Sequence, residues 1–303
     1  SKIWCFADPF RRPITGMMGA INLFTSPLNL LRVGLLRWHV MRTPDEEIFT
    51  QPGQTTREFL TSRGFSKSFI DRFFSPLFGG IFLESSLRTD ARMFKFVFKN
   101  MSRGDMVLPK QGISAAPQFL FDKLENTKLT LKADVKIIND NELIVNNKTK
   151  KYSRIIKAYD EVAGKITRSV WTVHFSAPKS PLKQKFIMLN SNINTQNKLI
   201  SHIAVPSDIQ PSYAPEDKSL ITVTIVGEHA DEKGINSKEE ISKAAVEELT
   251  EWFGKQVGEW GLLDVQHITA ALPELSSSDF DNINRNTQFL ECGDHTYHGS
   301  VEG

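Results

Sequence analysis

The stretch that decides the fold closes the chain: Gln288-Phe289-Leu290-Glu291-Cys292-Gly293-Asp294-His295-Thr296-Tyr297-His298-Gly299-Ser300-Val301-Glu302-Gly303. It reads as a strand that runs into a glycine turn and then into the start of a helix. A junction of that kind presents backbone N–H groups to an anionic or electron-rich ligand edge. Glycine at the turn lets the ligand come close to the main chain.

Working back from the tail, Ser237-Lys238-Glu239-Glu240 is a capping box, and Ile241, Ala245, Leu249 and Trp252 follow at helical spacing. The pattern predicts an amphipathic helix over Lys238 to Phe253, ended by Gly254. Before it, Ser169 to Phe175 and Leu220 to Val226 are rich in β-formers, with Phe186 to Leu189 and Ile200 to Val205 between them, so a sheet is expected there. A second strand region precedes that one: Leu129 to Ile138 alternates, Glu142 to Asn146 pairs with it across Asn139-Asp140-Asn141, and Tyr152 to Ala158 supplies a third run. Leu108-Pro109-Lys110-Gln111-Gly112 is a turn leading to a short helix over Ala115 to Leu124. Nine of the 21 phenylalanines fall between Phe65 and Phe98, largely at helical intervals that Gly79-Gly80 interrupts. Thr55-Thr56-Arg57-Glu58 is another capping box, with Gly64 closing its helix, and Leu30 to Trp38 has helical spacing with arginines able to reach an interface.

With 303 residues, the chain is large enough for two domains or one elaborated domain. Apolar residues make up 40% and charged residues 24%, and the mean hydropathy of −0.27 excludes both a disordered tail and a multi-span membrane protein. Pro13 to Leu31 carries no charge, but Gly16, Gly19, Asn22, Pro27 and Asn29 interrupt it, so it reads as a loop entering a buried helix. Ser1 to Arg12 shows no secretory leader, and Cys5 and Cys292 offer neither a disulfide framework nor a zinc spacing, which points to a reducing, cytoplasmic setting. Residues 1–110 hold 16 Lys and Arg against 9 Asp and Glu. That excess is scattered rather than clustered, so it reads as a solvated surface; nucleic acid is not expected as a partner, and peripheral membrane contact is kept open.

No two glycines stand at i and i+2, so G-x-G-x-x-G is absent, as are a Walker A loop, H-E-x-x-H and C-x-x-C. Of the seven histidines, only His295 and His298 have a spacing suggestive of a metal pair.

The tail resembles the last flavin-contacting segment of the flavin-containing amine oxidase superfamily, which includes phytoene desaturases and protoporphyrinogen oxidases. Cys292-Gly293-Asp294 with Gly299-Ser300-Val301-Glu302-Gly303 matches a strand ending in Gly-Asp followed by Ser-Ile/Val-Glu/Asp-Gly at a helix start. The order upstream agrees. Leu108 to Gly112, its helix and the Val135 strand are similar to a Pro-x-Gly-Gly turn, helix and adenine-side strand, with Gln111 where a glycine is usual. Phe65 to Phe98 is similar to the substrate-domain helices, and Trp171 to Phe175 with Ser212-Tyr213-Ala214-Pro215 to its strands. Lys157-Ala158-Tyr159-Asp160 stands where the family has a run such as Ala-Thr-Asp close to the cofactor.

The resemblance implies an α/β, interleaved two-domain flavoprotein: an incomplete Rossmann-like FAD domain plus a substrate domain of helices and a mixed sheet. The boundaries are 1–107 and 161–283 for the substrate domain, and 108–160 and 284–303 for the FAD domain. It implies FAD as cofactor, bound by Val135, Gly293, Asp294, Ser300, Val301 and Gly303, and no metal, since the His295 loop would lie beside the flavin. The implied activity is FAD-dependent dehydrogenation of an apolar or amine-type small molecule by hydride transfer; no side chain is nominated as acid, base or nucleophile. The missing opening turn implies a chain truncated at both ends that alone would hold FAD weakly and be inactive. The alternatives are a relative that binds an apolar ligand without flavin chemistry, and a peripheral membrane-binding module. Phe74, Phe78 and Phe82 are read either as core or as the wall of an apolar substrate site. His174 and His202 are read as ordinary strand residues, and Cys292 as a small buried one.

Overall fold

A computed structural model of the chain describes residues 27–158, 166–182, 185–193, 198–277 and 290–293. In chain order the elements are α1 (Pro27–Arg42), α2 (Asp45–Phe49), α3 (Thr56–Ser62), α4 (Lys67–Phe69), a π-helical turn (Ile70–Phe74), α5 (Ser75–Phe82), α6 (Ala91–Arg103) and α7 (Ala115–Phe121). The strands β1 (Val135–Asn139), β2 (Glu142–Val145), β3 (Lys148–Lys151), β4 (Ile156–Lys157), β5 (Thr167–Ala177), β6 (Met188–Leu189) and β7 (His202–Ala204) follow. Then come α8 (Pro206–Ile209), β8 (Ser219–Val226), α9 (Gly227–Glu232), α10 (Lys238–Phe253), β9 (Gly261–Pro273) and β10 (Leu290–Glu291).

Local chemistry sets most of these boundaries. At α3 the Thr55 hydroxyl accepts from the Glu58 N–H at 3.1 Å while the Glu58 carboxylate accepts from the Thr55 N–H at 2.9 Å, so two orphan donors are satisfied reciprocally. Gly254, at φ 70, ends α10 where the sequence places the stop. The strand expected over Leu129 to Ile138 starts only at Val135, because Lys132 turns the backbone to φ 53. A strand not read from the sequence, Lys148–Lys151, pairs with β2 because Asn146 and Asn147, at φ 48 and 65, form a tight hairpin turn, and the run at Tyr152 to Ala158 supplies only the two-residue β4, which does not join this sheet. Gly79 and Gly80 do not interrupt the helix; both lie inside α5.

Two cores organise the described residues. The first is aromatic. Phe74 and Phe78 are fully buried, Phe82 nearly so, and the Phe78 and Phe94 rings lie 4.5 Å apart between α5 and α6. The second is sheet on helix. Strand order is β6-β7-β8-β5-β9, with Trp171, Val173, Phe175, Val223 and Ile225 buried against Ile241, Ala245 and Leu249 of α10. Every pairing in this sheet is antiparallel, which corrects the expected mixed sheet. The reason is the path: the chain leaves β8, covers one face with α9 and α10, and enters β9 on the far side of β5, so β8 and β9 run parallel but never touch.

A polar joint ties the cores together. Arg168 of β5 donates to the Phe82 carbonyl at 2.8 Å and the Thr89 hydroxyl at 2.7 Å, and faces Glu84 and Glu274, each at 3.5 Å. The buried Glu84 carboxylate also accepts from the N–H groups of Arg88 and Thr89. Leu83 and Leu87 on this joint are held at φ 54 and 59, a left-handed conformation that costs a non-glycine residue about 1–3 kcal/mol.

Candidate functional site

The tail strand returns across the molecule. β10 pairs in parallel with β4, Leu290 with Ile156 and Glu291 with Lys157, and the Cys292 N–H donates to the Lys157 carbonyl at 3.0 Å. The Lys157 ammonium and Glu291 carboxylate sit 3.6 Å apart, both largely shielded. Gly293, next in line, has φ 144, a conformation that a side chain would strain. Cys292 is exposed rather than buried, contrary to the sequence reading. Asp294, Ser300, Val301 and Gly303, with His295, His298, Tyr159 and Asp160, lie outside the described residues.

Val135 opens an edge strand, since its sheet is ordered β1-β2-β3. The Asp134 carbonyl accepts from the Asn146 N–H at 2.9 Å, so strand alternation turns the polar groups of Val135 toward the open edge. The turn at Pro109 to Gly112 docks on the other segment: Tyr213 Oη donates to the Pro109 carbonyl at 2.9 Å and Ser212 Oγ to the Lys110 carbonyl at 2.7 Å. Pro211–Tyr213 is a 3-10 turn, which corrects the strand expected at Ser212 to Pro215; two prolines within five residues interrupt a ladder.

The five-stranded sheet has two unlike faces. One is buried on α10. The other carries Thr172, His174 and Ser176 on β5, Thr222 and Thr224 on β8 and His202 on β7, all half-buried. His174 Nδ1 lies 3.2 Å from Thr222 Oγ1, and burial lowers its pKa against the opposing pull of the Asp264 carboxylate. His202 is the more confined imidazole: burial pushes its pKa down to about 4. Its ring makes no hydrogen bond among the described residues and lies against Gly80 of α5, where an added Cβ would come within 2.7 Å of Nδ1. Both rings are therefore neutral at neutral pH, and this wall offers hydroxyls and imidazole nitrogens without a positive charge. Such a surface accepts hydrogen bonds from an amine without repelling it.

The sequence reading took His202 for an ordinary strand residue and treated Gly79-Gly80 as an interruption. Two adjacent glycines in a run of helical aromatics are the one trace in the sequence of a close approach there. Phe74, Phe78 and Phe82 fall together in the aromatic core, on the same helical run as Gly80. Among the described residues no group of three His, Cys, Asp or Glu could hold a metal ion.

Residues 33–163 match the family model of flavin containing amine oxidoreductase. No curated protein matches the chain in sequence. Solved structures share its fold. An oxidoreductase from Methanosarcina mazei superposes with a TM-score of 0.67 at 14% identity, over 90% of this chain and 68% of that one. Putrescine oxidase bound to putrescine gives 0.64 at 12% identity, over 91% and 72%. Cyclohexylamine oxidase from Brevibacterium oxydans gives 0.62 at 11%, over 91% and 70%. The family match over residues 33–163 and the shared fold agree with the order of motifs read from the tail backward.

Proposed function

We propose that the chain serves the FAD-dependent dehydrogenation of an amine or other largely apolar small molecule, with 108–160 and 284–303 on the cofactor side and 1–107 and 161–283 on the substrate side. The observation that carries this reading is the parallel pairing of β10 with β4, which joins the two cofactor-side segments across the whole substrate-side sheet. The residues present fit a dinucleotide: an open strand edge at Val135 and a glycine at positive φ after a parallel strand are main-chain surfaces that a flat or anionic ligand can approach. When bound, FAD supplies the hydride acceptor. In this reading the chain's own groups bind and orient. Gly293 and Asp294 face the flavin end and Val135 the adenine end, with Ser300, Val301 and Gly303 completing the tail contact. The neutral His202 and His174 with Thr222 and Thr224 hold a substrate nitrogen, and Phe74, Phe78 and Phe82 stiffen the apolar side beneath them.

The test is anaerobic reduction of FAD, bound to this chain fused to an opening strand, glycine turn and helix that seats the pyrophosphate, by a panel of primary amines and apolar polyenes, followed by loss of the oxidised flavin absorbance. Reduction by one class, with His202→Leu raising KM and leaving FAD retention unchanged, is the expected result. FAD that stays oxidised with every class sinks the dehydrogenation reading and leaves a non-catalytic binder of apolar ligands.

A further inference from the structure

Helix α1 is apolar on both faces. Its inner face buries Leu36 and Val40, while Leu28, Leu31, Leu35 and Trp38, spaced three, four and three residues apart, stand 58%, 60%, 57% and 56% exposed on the opposite face. A contiguous stripe of four large apolar side chains exceeds the scattered exposure ordinary for a surface.

Charge says what covers the stripe. No Asp or Glu occurs between Pro27 and Arg42, whereas Arg32, Arg37, His39 and Arg42 do. The Arg42 guanidinium lies over the exposed Trp38 ring, 4.3 Å from its centroid, so a cation and an amphipathic aromatic ring share one end of the stripe. Along the flank, His39 Nε2 lies 3.4 Å from the Arg63 guanidinium. Arg63 and Lys95 lower the His39 pKa beyond what burial does, and Glu47 alone opposes them. A second copy packed on this face about a two-fold axis would set arginine against arginine. No helix among the described residues is long and apolar enough to cross a membrane.

We propose that the outer face of α1 docks on an anionic lipid surface, with Leu28, Leu31, Leu35 and Trp38 entering the interface and the flanking basic side chains meeting the headgroups. The test is co-sedimentation of the full chain with phosphatidylcholine vesicles and with mixed phosphatidylcholine and phosphatidylserine vesicles. The anionic vesicles are expected to bind it and the neutral ones to bind it weakly. Leu31→Glu and Leu35→Glu, at positions already exposed, should keep the melting temperature and each weaken partition about tenfold or more. Arg32→Gln and Arg42→Gln should each weaken it about fivefold on anionic vesicles only. Absence of binding to both lipids overturns the proposal, as does binding indifferent to Leu35→Glu. It is equally overturned if Leu35→Glu turns a lipid-free dimer into a monomer, or if vesicles bind only once residues 1–26 are removed, results that assign the stripe to a second copy or to that segment.

Discussion

The contact between Gly80 and His202 gives a prediction whose size follows from the geometry. In Gly80→Ala the new Cβ would stand 2.7 Å from His202 Nδ1 and 3.0 Å from Cε1, so the ring has to move by several tenths of an ångström. Overpacking of this kind costs about 1–3 kcal/mol, and alanine returns about 1 kcal/mol of helix propensity, leaving a net loss of roughly 0–2 kcal/mol. Gly79→Ala is harsher. Its Cβ would lie 2.5 Å from the Glu84 carbonyl oxygen, a backbone atom fixed by the Glu84 N–H bond to the Gly79 carbonyl at 3.0 Å and by the left-handed Leu83. No side chain can swing away there, so the overpacking cost should reach the upper end of its range, about 3 kcal/mol, leaving a net loss of about 2 kcal/mol after the same gain in helix propensity. Urea denaturation of both variants, alone and combined with His202→Ala, separates the two cases. His202→Ala should rescue Gly80→Ala by about 1 kcal/mol or more and leave Gly79→Ala unchanged. If Gly80→Ala and His202→Ala add within about 0.5 kcal/mol, the ring is not wedged against α5 and the reasoning fails.

Other outcomes follow from the same structure. Arg168→Met leaves the buried Glu84 carboxylate with only the exposed Arg88 guanidinium, 3.8 Å away, as countercharge and should cost about 3 kcal/mol in denaturant titration, with Glu84→Gln in the same chain recovering part of it. The folded pKa of His202 lies below its ordinary value, so the neutral form stabilises the fold above pH 6.5, and that contribution is lost as pH falls through the window to about 4. The loss amounts to about 3 kcal/mol, and a His202→Phe variant should lack this share of the acid sensitivity when stability is measured across that window. Phe78→Ala opens a cavity between α5 and α6 and should cost about 3–5 kcal/mol by thermal or urea unfolding; a change in substrate KM with little loss of stability would favour the pocket wall instead. Gly293→Val strains a backbone at φ 144 and, in the chain fused to a pyrophosphate-seating turn, should lower FAD retention in equilibrium dialysis while the melting temperature moves little.

The sequence conveyed whatever rests on short-range chemistry. The box at Thr55, the cap at Ser237 with its stop at Gly254, and the alternation in Ser169 to Phe175 act within a few residues, and the structure has them in place. The hairpin at Asn146-Asn147 was legible in principle, as two consecutive asparagines tolerate positive φ, but the strand after it, Lys148-Thr149-Lys150-Lys151, is exposed throughout and carries no apolar alternation to mark it. The direction of the central sheet was not legible, because a helix between two strands signals parallel neighbours only when no other strand lies between them, and here β5 does. The site divides in the same way. Gly293 could be read from its motif, whereas His202 acquires its character from Gly80, 122 residues away, which no local pattern encodes.

The pairing of β10 with β4 also sets an order of events. It joins residues 134 apart in the chain through two residue pairs, and each hydrogen bond there is worth about 1 kcal/mol net. Closing a loop of that length from an open chain costs about 4 kcal/mol or more, so the pair cannot form first. The intervening antiparallel sheet, with its hairpins and the helix over it, has to assemble beforehand and carry the tail to within reach. The tail contact is thus the last to form and the first to open, and amide exchange at Cys292 should run well ahead of that at Val173 and Val223.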